Sequence, residues 1–184
     1  MTKKTALLLI DIQNDYFPGG KMELVGSLEA SQQASYLLEL FRQTRQPVVF
    51  VQHIATRVEA SFFQPGTAGV EIHPSIQPQE GETVIQKHFP NSFRETDLLD
   101  HLHGTGITRL LICGMMTHMC VDATVRAAND LGFECIIAGD ACATRDLQFE
   151  GRQVPADFVH RSFLAALDGT YGNVIHAQDA AIHL

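Results

Sequence analysis

Short, continuously apolar runs alternate along this chain with longer segments whose apolar residues fall at helical spacing. The runs at 6–10 (ALLLI), 47–53 (PVVFVQH), 83–87 (TVIQK), 108–114 (TRLLICG), 133–139 (FECIIAG) and 172–177 (GNVIHA) have strand length. The purest of them, such as ALLLI, lack polar alternation, as strands buried on both faces must. Between them, 27–43 places Leu28, Tyr36, Leu37, Leu40 and Phe41 near helical spacing, with Ser27 as the expected N-cap. Residues 94–106, 120–132 and 155–169 read as further helices, the first two stopped by glycine. Strand–helix alternation predicts an α/β fold of three α-β-α layers, with a mostly parallel, doubly wound sheet of about six strands. At 184 residues without internal repeats, the chain reads as a single domain over 1–184. Residues 54–82 are rich in Pro and Gly and show little periodicity, which predicts a functional lid.

Charge narrows the partners. Thirteen Lys+Arg against twenty-one Asp+Glu give a net charge of -8, with no basic cluster, so nucleic acid and anionic membrane are not expected partners. No apolar run reaches membrane-spanning length, and a carboxylate interrupts the N-terminal apolar stretch, as in a first strand and not a signal peptide. The four cysteines form no C-x-x-C pair, which fits reduced thiols and a cytoplasmic location.

Ligands of open parallel sheets bind beyond the carboxyl ends of the strands. The polar residues there are Asp11, Gln52 with His53, Lys87 with His88, the loop leading to Cys120, and Asp140. An acid, a lysine and a cysteine thus converge on one rim from three strands. Each has a duller reading: a strand-end cap for Asp11, a solvated amine for Lys87, a core thiol like Cys113 and Cys135 for Cys120. Cys120 is expected at a helix start, where free N–H groups lower a thiol pKa from about 8.5 towards neutrality. Tyr16, Phe17, Phe62 and Phe63 are candidates for an apolar pocket wall, and Gln52 and His118 for hydrogen bonds to substrate; Arg145 has no assigned role. Nine histidines raise the question of metal, but no His-x-x-x-His or Asp-x-His pair is present, so no metal or other cofactor is expected. His53 and His73 meeting across the long loop is the arrangement to check. There is no G-x-G-x-x-G after a strand, no P-loop, and no G-x-S-x-G around Ser92, which disfavours nucleotide cofactors and serine hydrolysis.

Three segments together resemble the isochorismatase-like cysteine hydrolases, a superfamily with nicotinamidase and N-carbamoylsarcosine amidase branches. They are LLLIDIQNDYF around Asp11, VIQKHFPNSFRETDLLDHL around Lys87, and LLICGMMTHMCVDATVRAANDLGFECIIAGDACAT around Cys120. The resemblance implies a catalytic triad of Asp11, Lys87 and Cys120 and a cis peptide between Met115 and Met116. It further implies an oxyanion hole from the backbone N–H groups of Met116 and Cys120, and a dimer or larger homo-oligomer. It implies hydrolysis of a C–N bond in a small amide, carbamoyl or ureido substrate; Phe17, Gln52 and His118 are the substrate-binding candidates from the residues themselves. The nicotinamidase branch carries a metal on an Asp-x-His after the second strand; here Val51 stands where that aspartate would fall. The alternatives are vinyl-ether hydrolysis of an isochorismate-like acid, which some relatives perform without the cysteine, and a non-catalytic binding or redox-sensing role for Cys120.

Overall fold

The computed structural model describes residues 4–57 and 59–183. Its first strand, β1 (Thr5–Ile10), is buried at every position and lies in the middle of the sheet. From there the chain builds outwards through α1 (Ser27–Gln43), β2 (Val48–His53) and β3 (Thr83–Lys87). After α2 (Leu98–Gly104) it returns to the other side of β1 as β4 (Arg109–Met115), then adds α3 (Asp122–Asp130), β5 (Glu134–Ala143), β6 (Leu147–Phe149), β7 (Arg152–Val154), α4 (Ala156–Leu167) and β8 (Asn173–Ile175). The large sheet has six strands in the order β3-β2-β1-β4-β5-β8, and every pairing in it is parallel. Because right-handed crossovers run in opposite directions on either side of β1, α1 covers one face and α3 and α4 the other. The reversal lies between β1 and β4, the place where such sheets hold their ligands. This is the three-layer fold expected from the strand–helix alternation, which the chain shares with its structural neighbours.

Several local expectations are corrected. Ser27 is the first helical residue of α1 and caps nothing; Gly26, at φ 75, precedes it, a conformation open to glycine. The buried stripe of α1 is Ala30, Ser31, Ala34, Leu37, Leu38 and Phe41, whereas Leu28 and Tyr36 are exposed. β5 runs on to Ala143, so Asp140 lies within the strand and not after it. The β6–β7 hairpin is an addition, its two-residue turn formed by Glu150 (φ 48) and Gly151 (φ 72).

β4 needs a glycine where it leaves the sheet. Gly114 pairs with Ile10 at φ 133, and a Cβ there would sit 2.0 Å from the Ile10 carbonyl oxygen. The pairing of β4 with β5 shifts register between Ile112 and Gly114, and the chain then turns across the end of β1. The following Met115–Met116 peptide is cis. No helix among the described residues is long and apolar enough to cross a membrane.

Candidate active site

Asp11 is the first residue past β1. Its N–H donates to the Val51 carbonyl (3.0 Å), and its backbone adopts φ 51, a left-handed conformation that Asp tolerates better than most residues. The side chain is fully buried, and Oδ2 lies 2.8 Å from Nζ of Lys87, equally buried at the end of β3. Lys87 Nζ also donates to the Phe89 carbonyl (3.0 Å) and contacts Nδ1 of His53 at 3.0 Å. Lys87 Nζ is thus ion-paired with Asp11 and hydrogen-bonded to the Phe89 carbonyl and His53, while neither Asp11 oxygen has a hydrogen bond of good geometry among the described residues. Buried ions are tolerated only when paired in this manner.

Cys120 approaches from the other side of the switch point. It lies in a single turn of π-helix, Thr117–Val121, between β4 and α3, rather than at the first turn of an α-helix. The Met116 carbonyl accepts the N–H groups of Met119 (3.0 Å) and Val121 (3.2 Å), which flank Cys120. Thr117 pins the turn, its hydroxyl donating to the Ala143 carbonyl (3.2 Å) and contacting His160 Nδ1 (2.9 Å). Further on, the Thr124 hydroxyl accepts the Ser92 N–H (3.1 Å) and contacts the Ser92 hydroxyl (2.9 Å). That contact ties α3 to the loop that supplies the Phe89 carbonyl to Lys87. The carboxylate, thiol and imidazole of Asp11, Cys120 and His53 have ligand atoms within 4.8 Å of one another.

Electrostatics overturn one expectation. The Cys120 thiol is pushed well above its ordinary range, first by burial and then by the Asp11 carboxylate, with Lys87 acting against both. The resting thiol is therefore protonated, and no helix-start effect outweighs its burial. Burial pulls Lys87 down, but Asp11 and Cys120 more than offset this and its pKa is raised, so the ammonium stays charged. His53 is lowered from 6.5 to about 4, mostly by burial, with Lys87 and His88 lowering it further and Asp11 opposing. At neutral pH this imidazole is uncharged.

The sign of that shift gives a stability prediction. Below pH 6.5 the unfolded chain takes up a proton at His53 that the folded chain refuses until about pH 4. Stability is complete above 6.5 and declines towards 4, by about 3 kcal/mol for this one group. His73, His118 and His160 are lowered in the same direction by burial. A His53→Asn protein isolates the first term: its urea midpoint should fall less than that of the wild type between pH 7 and pH 4.5.

The segment that follows Asp11 bonds to the end of β2 and to the long loop after it. Gln13 donates through Nε2 to the carbonyls of His53 (2.9 Å) and Val70 (2.6 Å) and accepts the His53 N–H at Oε1 (2.8 Å). Asp15 accepts the N–H groups of Phe63 (2.7 Å) and Lys21 (3.2 Å). Gly69 packs so closely that a Cβ would lie 2.1 Å from Asp15 Oδ1. Among the described residues of 54–82, Phe63, Val70, Ile72 and Ile76 are buried. Tyr16, Phe62 and Phe63 form an aromatic cluster, with ring centroids 4.6 to 5.8 Å apart. Beside it lies a cavity of ≈ 350 Å³ lined by His53, Phe62, Phe63, His88, Phe89 and Pro90, among others.

The candidate substrate-binding residues are placed less favourably. Phe17 is buried and stacks on His73 at 3.6 Å between ring centroids. Gln52 donates to the Val70 carbonyl (3.0 Å) and accepts from Gln86 (3.2 Å), so its amide is already committed. His118 contacts the Thr144 hydroxyl through Nδ1 at 2.5 Å, while its Nε2 is buried without a partner among the described residues. Arg145 Nε is buried and unpartnered in the same sense, and its charge acts on both Tyr16 and His118. Asp140 accepts the N–H of Ala177 (2.8 Å), just past the carboxyl end of β8. The sequence placed His53 at the rim without a role, and gave no sign of Gln13 beyond its place in the same D-x-Q-x-D run as Asp11.

Asp11, His53 and Cys120 have donor atoms that suit a thiophilic divalent metal, but the Lys87 ammonium already contacts two of the three residues. A metal on those atoms would face an adjacent positive charge, so the donor set does not fit one while Lys87 is protonated. His73 does not join the cluster; its Nδ1 contacts the Ser75 hydroxyl at 2.9 Å.

The geometry has counterparts. The isochorismatase domain pattern matches residues 5–178. An uncharacterized isochorismatase family protein of Bacillus subtilis, YddQ, is 56% identical over 170 residues, covering 92% of this chain and 94% of its own. A secreted isochorismatase effector of Verticillium dahliae, Isc1, is 34% identical, covering 97% and 90%. A crystal structure from Oleispira antarctica, described as an isochorismatase hydrolase, superposes with a TM-score of 0.94 at 52% identity, covering 99% of this chain and 98% of that one. Streptothricin hydrolase of Streptomyces noursei is 31% identical over 77% of this chain and 50% of its own length. The chain belongs to the isochorismatase family, and it is a hydrolase.

Proposed function

We propose that the protein is a cysteine hydrolase that cleaves a C–N bond in a small amide, carbamoyl or ureido compound through a thioester on Cys120. The observation that carries this reading is a buried carboxylate–ammonium pair held against a buried thiol. A vinyl-ether hydrolysis needs no such nucleophile. Asp11 takes the proton from Cys120 as Sγ attacks the carbonyl carbon, so the costly thiolate forms only as its bond to substrate forms. The oxyanion develops against the N–H groups of Met116 and Cys120. The C–N bond breaks, and Asp11 returns the proton to the departing amine. Asp11 then deprotonates a water that attacks the thioester, releasing the acid and restoring the thiol. Lys87 keeps the region from accumulating negative charge while carboxylate and thiolate character coexist.

The test is a panel of small amides, carbamoyl compounds and ureides, with acid-quenched protein examined by peptide mass spectrometry. Turnover of one class, with an acyl mass trapped on Cys120, is the expected result. Turnover of isochorismate-like acids with no adduct would support the second reading. That reading draws on one observation: an unpaired buried Arg145 Nε beside His118 suits a substrate carboxylate. A redox-sensing role is less well supported, since oxidation proceeds through the thiolate and the resting thiol is held neutral.

A further inference from the structure

His53 has no assigned part in the chemistry above, yet it is held more firmly than a space-filling residue requires. It is the register partner of Lys87 across β2 and β3. Gln13 clamps both its backbone polar atoms, and Phe63 lies against its ring at 5.8 Å between centroids. Its Nδ1 and the Phe89 carbonyl are the hydrogen-bonded neighbours of Lys87 Nζ, and Asp11 Oδ2 is its ion-pair partner, so three groups surround the ammonium. An ammonium has three donors and no acceptor, so Nδ1 must receive, and the ring proton must sit on Nε2.

We propose that His53 is a positioning residue: its Nδ1 fixes the direction of the Lys87 ammonium, so that the charge stays over Asp11 and Cys120 instead of swinging towards the cavity. Two partners leave a long, flexible side chain a choice of orientations; a third, on a clamped backbone, removes that choice. The charged and titratable groups facing the imidazole are Lys87, Asp11, His88 and the Cys120 thiol; burial, with Lys87 and His88 and against Asp11, keeps it neutral at physiological pH. A charged imidazole would repel the ammonium it is placed to receive. The inference rests on the role given to Lys87 in the proposed function, but not on the identity of the substrate.

Asparagine and glutamine separate position from mere polarity. Asn places its Oδ1 where Nδ1 of histidine lies, whereas Gln reaches the place of Nε2. The measurement is the pH profile of Cys120 alkylation by iodoacetamide in wild type, His53→Asn, His53→Gln, His53→Phe and Lys87→Met, read by peptide mass spectrometry. It needs no substrate. His53→Asn should stay within about threefold of wild type, while His53→Gln and His53→Phe slow alkylation about tenfold at pH 7.5 and across the accessible alkaline range, the worth of one charge-assisted hydrogen bond. If Lys87→Met moves the profile but His53→Gln and His53→Phe do not, the inference fails and the role of Lys87 stands. If Lys87→Met also leaves the profile unmoved, the role of Lys87 fails with it. Equal impairment of all three His53 variants would make the residue a packing element and overturn the proposal. Should His53→Phe not fold, the Asn-against-Gln contrast decides alone.

Discussion

Under the proposed chemistry, replacing Cys120 by alanine should lower turnover by about 10⁴-fold or more, because the acyl transfer would lose its nucleophile. The loss should appear in kcat, with binding largely retained, since the thiol acts on the reacting carbon. The fold should survive: a neutral thiol in a buried turn is replaced by a slightly smaller apolar group, a change of about 1 kcal/mol or less. Cys113, Cys135 and Cys142 provide the internal comparison. All are buried, and burial holds Cys135 and Cys142 up at about 12. Cysteine-to-alanine variants at those positions should leave kcat within about twofold. Cys120→Ser tests the same point more finely, since its hydroxyl keeps the hydrogen bonding but is far harder to deprotonate beside a carboxylate. It should be nearly as inactive as the alanine form. Full activity in the alanine protein would transfer the chemistry to a water-based route and bring the vinyl-ether reading forward.

What the sequence disclosed depended on how local the cause was. β1 was legible because a strand covered on both faces admits only apolar residues, and Ala6 to Ile10 meet that condition. The bounds of α1 were legible from its spacing, but not its cap, since a glycine in the left-handed conformation leaves no side-chain signal. Asp11 and Lys87 were found by their position after apolar runs. The surroundings of Cys120 were not. The π turn is set by Thr117 reaching Ala143 and His160, and by Gly114 letting β4 press on β1; those partners lie 26, 43 and about 100 residues away along the chain. The thiol's actual state followed from burial that only the folded packing supplies. Gln13 is a similar case, since it bonds to His53 and Val70, 40 and 57 residues on. The β6–β7 hairpin was missed as well: its turn holds Glu150 and Gly151 at positive φ, and Glu-Gly is not among the Asn-Gly and Asp-Gly pairs that announce such a turn.

The second large effect is on stability. Lys87→Met keeps most of the side-chain volume and removes the charge, leaving a buried Asp11 carboxylate with no counter-ion, and His53 Nδ1 and the Phe89 carbonyl without their donor. Breaking a buried pair on one side costs about 3–5 kcal/mol. Urea unfolding should show that loss with an unchanged slope. Asp11→Asn is expected to cost less, because the ammonium keeps two of its three partners and Asn accepts the φ 51 backbone as Asp does. The double variant Lys87→Met/Asp11→Asn should then be more stable than Lys87→Met alone, with a coupling of about 2–3 kcal/mol, since the uncompensated charge is gone. Independent, additive losses would mean that the two side chains do not form a mutually dependent pair. The predicted ordering also explains why such an arrangement suits catalysis and not stability: an apolar pair of similar volume would hold the sheet ends together at least as well. In the proposed mechanism it is the charged pair that receives a proton from Cys120 and balances the negative charge that results. The double variant should accordingly fold and do nothing to an amide.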